Sequence, residues 1–208
     1  MKVGIINNAN ELESLEPFEV GCLLWGTEKI PKTYGYLGFV PGDGFYLKMI
    51  CMEKDPLRTY DKDQSPVYRD SAMEAFFMFE PAQQKEREEQ NIYINLEMNA
   101  NGALLAGYGS QRVYRSYFTE EERRKLQRGV EIEEDRWSIS LRLPLDILEK
   151  LYGHVGLKEG STFFCNFYKI SETKEIEHYA SYSPIRSDIP SFHLPEYFAQ
   201  AEIVVKNK

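Results

Sequence analysis

The chain has 208 residues, with 33 acidic against 25 basic side chains and a formal net charge of -8. That balance disfavours nucleic acid and anionic membrane surfaces as partners, since both call for basic patches, and no apolar run approaches the roughly 20 residues of a membrane span. Cys22, Cys51 and Cys165 are scattered and odd in number, which argues against a disulfide framework or a thiolate zinc site and reads as small core residues.

This length suits one large domain with a sizeable core and is short for two. The opening residues lack the basic and then apolar regions of a signal peptide. A cytoplasmic location is therefore expected for the chain as given, or an extracellular one if a leader has been removed. Residues 1–15 are polar and read as a flexible N-terminal arm, with a single domain over 16–208. Phe18 to Trp25 reads as a strand ending at Gly26. The runs Tyr34 to Phe39 and Phe45 to Met52 flank a Pro41-Gly42-Asp43-Gly44 turn signal and predict a hairpin. The aperiodic segment from Glu53 to Asp70, with two prolines, predicts a long surface loop, the usual carrier of binding residues.

The stretch from Tyr68 to Gly102 holds the most informative pattern. Ile92, Ile94, Leu96 and Met98 alternate with Tyr93, Asn95, Glu97 and Asn99, so one face of a strand makes core and the other carries a ladder of hydrogen-bonding groups. Glu74 sits in a strand among Ala, Phe and Met neighbours, and a carboxylate near core requires a partner. Together these groups suit a polyhydroxylated ligand, against the plainer alternative of a solvated outer face. Ser110 to Gly129 reads as an insertion, with a capping box at Thr119 and Glu122 opening a short helix. Trp137, Ile139, Leu141 and Leu143 alternate inward in the next strand, and Pro144 opens a second short helix. Further strands are expected near 161–170, 177–185 and 201–206. The fold class that follows is all-β, an antiparallel β-sandwich of jelly-roll or Ig-like wiring with two short helices.

Taken in order, VYRDSAMEAFFMFEP, YINLEMNANGALL, RWSISLRLPLDIL, FFCNFYKI, YSPI and FHLPEYFAQAEI resemble the pattern of carbohydrate-binding module family 9. The resemblance implies a β-sandwich that binds sugars without cleaving them, often with structural calcium, between two aromatic side chains. Carried over, the aromatic pair falls on Tyr68 and Tyr182, where sugar-binding members usually have Trp. The hydrogen-bonding acid falls on Glu74, and Glu97 and Asn99 take the polar positions on the neighbouring strand, with a basic residue in some members where Glu97 stands. Arg69, Arg112 and Arg186 are expected as loop donors. The Asp61-x-Asp63 pair resembles an oxygen-rich calcium loop. The partner expected is a mono- or oligosaccharide, with no nucleic acid and no membrane. Two readings stay open beside it: a sandwich that has lost sugar binding and serves as an interaction module, and a glycoside-processing enzyme using Glu74 and Glu97. Catalytic residues are not expected, because the three histidines lie in separate segments and no nucleophile elbow, phosphate loop or dinucleotide fingerprint occurs.

Overall fold

A computed structural model describes residues 1–80 and 92–205; Pro81 and Lys206, which end two of the expected runs, lie outside them. The strands are β1 (Lys2–Ile5), β2 (Phe18–Glu19), β3 (Cys22–Leu23), β4 (Thr33–Val40), β5 (Gly44–Cys51), β6 (Ala72–Met78) and β7 (Tyr93–Asn99). They continue as β8 (Leu104–Gly109), β9 (Ser116–Tyr117), β10 (Gly129–Ile132), β11 (Trp137–Pro144), β12 (Thr162–Ser171), β13 (His178–Ser181) and β14 (Ala199–Val204). The two helices are α1 (Glu120–Lys125) and α2 (Leu145–Tyr152). The chain is mostly β. The strands form one mixed sheet in the order β10-β11-β5-β4-β1-β14-β12-β6-β7-β8-β9, with β13 beside β12.

The expected all-antiparallel pairing fails at one place, and the supposed N-terminal arm is the reason. Residues 2–5 pair in parallel with both β14 and β4, Val3 lying opposite Ile203 and Gly4 opposite Gly38. Val3, Ile6 and Leu12 are buried, and a 3-10 turn over Ala9–Ser14 is capped by the side chain of Asn8. Three apolar side chains spaced through a polar segment are enough to hold it when both edges of the strand find partners. This short strand joins the two halves of the sheet.

Those halves close over a shared core. Phe45 of β5 meets Phe163 of β12 at 4.9 Å between ring centroids and Phe79, just past β6, at 5.6 Å. The alternation expected in β11 holds, with Trp137, Ile139, Leu141 and Leu143 buried. The 110–129 segment carries the capping box at Thr119 and Glu122, and it also feeds Phe118 and Leu126 into the main core. At the β7–β8 turn Gly102 has φ 78°, the left-handed region that glycine enters without a Cβ clash.

The opposite face of β6, β7 and β12 carries a second aromatic cluster. Phe76, Tyr93 and Tyr168 on the strands pack with Phe192 and Phe198 from the segment that crosses them. Tyr168 and Phe192 stack at 4.1 Å. Burial of these rings pins residues 185–198 across part of the face and leaves the rest open. Among the described residues no helix is long and apolar enough to cross a membrane.

Candidate functional site

Strand parity builds the site. In β6 the residues Met73, Ala75 and Phe77 enter the main core, so Glu74 must point to the other face with Ala72 and Phe76. The antiparallel register sets Glu74 directly beside Glu97 of β7 on one side and Tyr168 of β12 on the other. Glu74 is 2 % exposed and Glu97 3 %. Both border an open cavity of about 210 Å³. That volume lies below the roughly 300–1,000 Å³ of pockets for drug-sized ligands and suits a single small ring.

Asn95 positions Glu97. Its amide Nδ2 donates to Glu97 Oε1 at 2.9 Å, while its Oδ1 accepts from Arg115 Nε at 2.8 Å. Arg115 in turn donates to the carbonyls of Tyr93 and Gln111, each at 2.9 Å, and lies over the Tyr93 ring at 4.2 Å. The guanidinium is thus spent on the loop and on Asn95. Glu74 has no hydrogen-bond partner among the described residues, although its carboxyl is nearly buried and borders the cavity.

Aromatic rings supply the rest of the lining. Tyr68 stands on a 3-10 turn over Val67–Arg69, fixed by the Glu172 N–H donating to its carbonyl at 2.9 Å. Trp25 donates from Nε1 to the Ser187 carbonyl at 2.7 Å and packs edge-on to Tyr179 at 5.4 Å and against Phe192 at 5.5 Å. Its φ of 49° is uncommon for a bulky residue, a local strain held by these contacts and the turn at Gly26. Arg112 reaches across the rim to the Pro190 carbonyl at 3.3 Å, and His193 Nδ1 meets the Tyr93 hydroxyl at 2.9 Å.

The electrostatics follow from burial and from carboxylates as neighbours. Burial first, and then the adjacent Glu97 and Glu172, raise the Glu74 carboxyl well above its usual range against a weaker pull from Arg112. Burial raises Glu97 to about 7, opposed by the Asn95 hydrogen bond and by Arg115. Burial pushes Tyr93 up to about 12 and His193 down to about 3, so both are neutral near pH 7. The cavity floor is therefore a pair of acids on directly opposed strand positions, with no cation bonded to either among the described residues.

A family model described as carbohydrate-binding family 9 matches residues 10–203. The chain belongs to that family. No curated protein matches it. Among solved structures, a candidate carbohydrate-binding protein from Bacteroides uniformis ATCC 8492 is similar at 19% identity with a TM-score of 0.77, covering 98% of each chain. A family 9 module from Caldicellulosiruptor kristjanssonii in complex with glucose has a TM-score of 0.68 at 9% identity, covering 100% of this chain and 96% of its own. A family 9 module from the same organism in complex with cellotriose has a TM-score of 0.62 at 9% identity, covering 100% of this chain and 95% of its own. At these identities the likeness is one of fold.

Within this family 9 chain the expected ligand set divides. Tyr68, Glu74, Glu97 and Arg112 line the one cavity. Tyr182 does not: its ring leans on Phe18 at 5.8 Å and Phe167 at 6.0 Å, against the main core. The aromatic residue of that segment at the cavity is Tyr179, three residues earlier and so of opposite parity. Asn99 is also committed elsewhere. Its amide donates to the Tyr60 carbonyl and to Asp70, each at 2.7 Å, and its Oδ1 accepts from the N–H groups of Asn101 and Ala103. It pins the long loop and closes the hairpin.

Arg69 contributes through its carbonyl, which accepts from the Thr173 hydroxyl at 2.7 Å. Arg186 lies in a separate shallow cleft with Leu23 and Asp188. The Asp61 and Asp63 pair does not fit calcium. Asp63 meets Arg123 at 3.0 Å and Arg128 at 2.8 Å through its two oxygens, so its charge is already matched. Among the described residues no three His, Cys, Asp or Glu side chains converge as metal ligands would. Trp25, Tyr179, Glu172, Arg115 and His193 reach the cavity without having been expected there. A tryptophan placed just before a glycine turn was the one available signal.

Proposed function

We propose that the chain is a non-catalytic saccharide-binding module that holds one sugar ring in this cavity. In that reading the closed-over sheet is the β-sandwich of a binding module. Tyr68, Trp25 and Tyr179 offer apolar ring faces to sugar C–H bonds, and Glu74 takes hydroxyl protons. The observation that carries the reading is the Glu74 carboxyl, without a hydrogen-bond partner among the described residues yet opening onto an aromatic-lined cavity. A buried acceptor without a partner loses free energy until a ligand donates to it.

An enzyme reading fits less well. Glu74 and Glu97 are register partners on one floor, whereas glycoside hydrolysis places its two carboxyls on either side of the scissile bond. Calorimetric titration with mono- and oligosaccharides tests the proposal: a saturable response, weakened in Glu74→Gln, is expected. Absence of binding to any sugar at millimolar concentration would leave the interaction-module reading instead. Turnover of chromogenic glycosides, abolished in Glu74→Gln, would favour the enzyme.

A further inference from the structure

Among the described residues the cavity is short of positive charge. Glu74 and Glu97 lie side by side at 2 % and 3 % exposure. Only one of their four oxygens, Glu97 Oε1, accepts a hydrogen bond within the described residues. The groups that face this pair from neighbouring elements do not correct the imbalance. Glu172, just beyond β12, adds a third carboxylate. Tyr93, Tyr168 and Tyr68 bring neutral phenols. Arg115 is consumed by Asn95 and by main-chain carbonyls, and Arg112 is an exposed rim residue on the Pro190 carbonyl. Lys169, the buried ammonium of the same strand layer, is bound on another site to Ser71 and His178.

Building on the saccharide reading above, we propose that the cavity selects an amino sugar, a hexose with a free protonated amine, whose ammonium sits between Glu74 and Glu97. An ammonium is a compact charge with three donors. It matches a floor of open acceptors better than a hydroxyl does, because it donates and also neutralises. Two adjacent buried carboxyls with no cation are unfavourable unless a proton or a ligand cation joins them. A neutral sugar leaves that to a proton, whereas an amino sugar brings the charge itself.

The test is calorimetry on the full chain with D-glucose, D-glucosamine and N-acetyl-D-glucosamine at pH 7, the last keeping the substituent while removing its charge. Glucosamine is expected to bind about tenfold or more tightly than either of the others, the scale of one charge-assisted hydrogen bond. The preference is expected to collapse in Glu97→Gln, with Glu74→Gln as a second variant and thermal melts to confirm that both fold. It is also expected to shrink as pH falls and both carboxyls take up protons. Glucose or N-acetylglucosamine binding as tightly as glucosamine overturns this proposal alone, as does a preference that survives both substitutions. Binding of none of the three sugars, with no oligosaccharide bound either, overturns the saccharide reading and this proposal with it.

Discussion

Two sites that carry covered carboxyl groups lie close together on this sheet, and they are built on opposite principles. At the first, Lys169, 0 % exposed, donates to Ser71 Oγ at 2.7 Å and His178 Nε2 at 2.9 Å and lies 3.7 Å from Glu53 Oε2. Glu53 also accepts from Ser71 Oγ at 2.5 Å and Trp137 Nε1 at 3.0 Å. Burial alone would raise the Glu53 carboxyl, but the Lys169 ammonium and these donors hold it below its usual range. At the second, the two carboxyls of Glu74 and Glu97 accept a single hydrogen bond among the described residues, from Asn95 to Glu97, and both rise. A matched charge network serves the fold, and an unmatched one awaits something from outside.

The largest effect that would break this contrast is at the matched site. Lys169→Met leaves the partly buried Glu53 without its cation and is expected to lower stability by about 3 kcal/mol, the low end for a broken buried pair because Glu53 keeps some solvent, a fall in melting temperature of about 10 °C. Adding Glu53→Gln should recover part of the loss, because the double variant no longer buries a lone charge. A single variant melting within a degree or two of the parent would mean that the network is not structural. The neutral imidazole belongs to the same argument. Burial and then Lys169 hold His178 down to about 4, so its contribution is fully present above the usual 6.5 and is lost as pH falls from there through about 4.

The unmatched site carries the opposite sign. Glu97 is raised from 4.5 to about 7, so the folded state holds a proton that the unfolded chain releases between those values. Stability therefore declines as pH rises from about 4.5 to about 7 and levels off above. Glu97→Gln removes this penalty. It is expected to stabilise the protein by roughly 2–3 kcal/mol at pH 8 and by little at pH 4. Denaturant titrations of both proteins at the two pH values check this; a variant less stable than the parent at pH 8 would sink it. A gain in stability together with a loss of sugar affinity is what a ligand site built at the expense of the fold should give.

A smaller effect separates the two candidate aromatic residues. Tyr68→Ala and Trp25→Ala should each weaken saccharide binding by about 1–2 kcal/mol through lost ring contact. Tyr182→Ala should leave affinity unchanged and lower the melting temperature instead, since that ring packs on Phe18 and Phe167. Titration and melting of the same three variants decide the matter. A Tyr182 variant with impaired binding would return the clamp to its sequence-based position.

The parts of this site that were legible from sequence are those governed by strand periodicity. Alternation in β7 put Asn95 and Glu97 on one face, and Glu74 stood out as an acid among apolar neighbours. Both sit where that pattern implies. What was illegible depends on how segments meet. Tyr179 and Tyr182 are equally aromatic in one short run, and only the pairing of β13 with β12 decides which faces the cavity. Asn99 shares parity with Glu97, but its place at a hairpin end turns its amide to the loop. Residues 2–5 gave too short a pattern to be read as a strand, because their stability comes from β14 and β4, distant in the chain.

The smallest test concerns charge that is matched at the surface. Asp63 combines the two kinds of site: it sits in the acidic loop that suggested calcium, yet its partners are the guanidiniums of Arg123 and Arg128 and the Leu104 N–H at 3.2 Å. A carboxylate already holding two cations has little left for a third. Asp63→Asn is expected to lower stability by about 1 kcal/mol, discounted because the side chain is partly solvated, and Asp61→Asn by less than about 0.5 kcal/mol. Neither the parent nor either variant should change its melting temperature when calcium is added or chelated. A chelator-sensitive melt that Asp63→Asn abolishes would make the loop a metal site and would place Asp63 with the open acids rather than the matched ones.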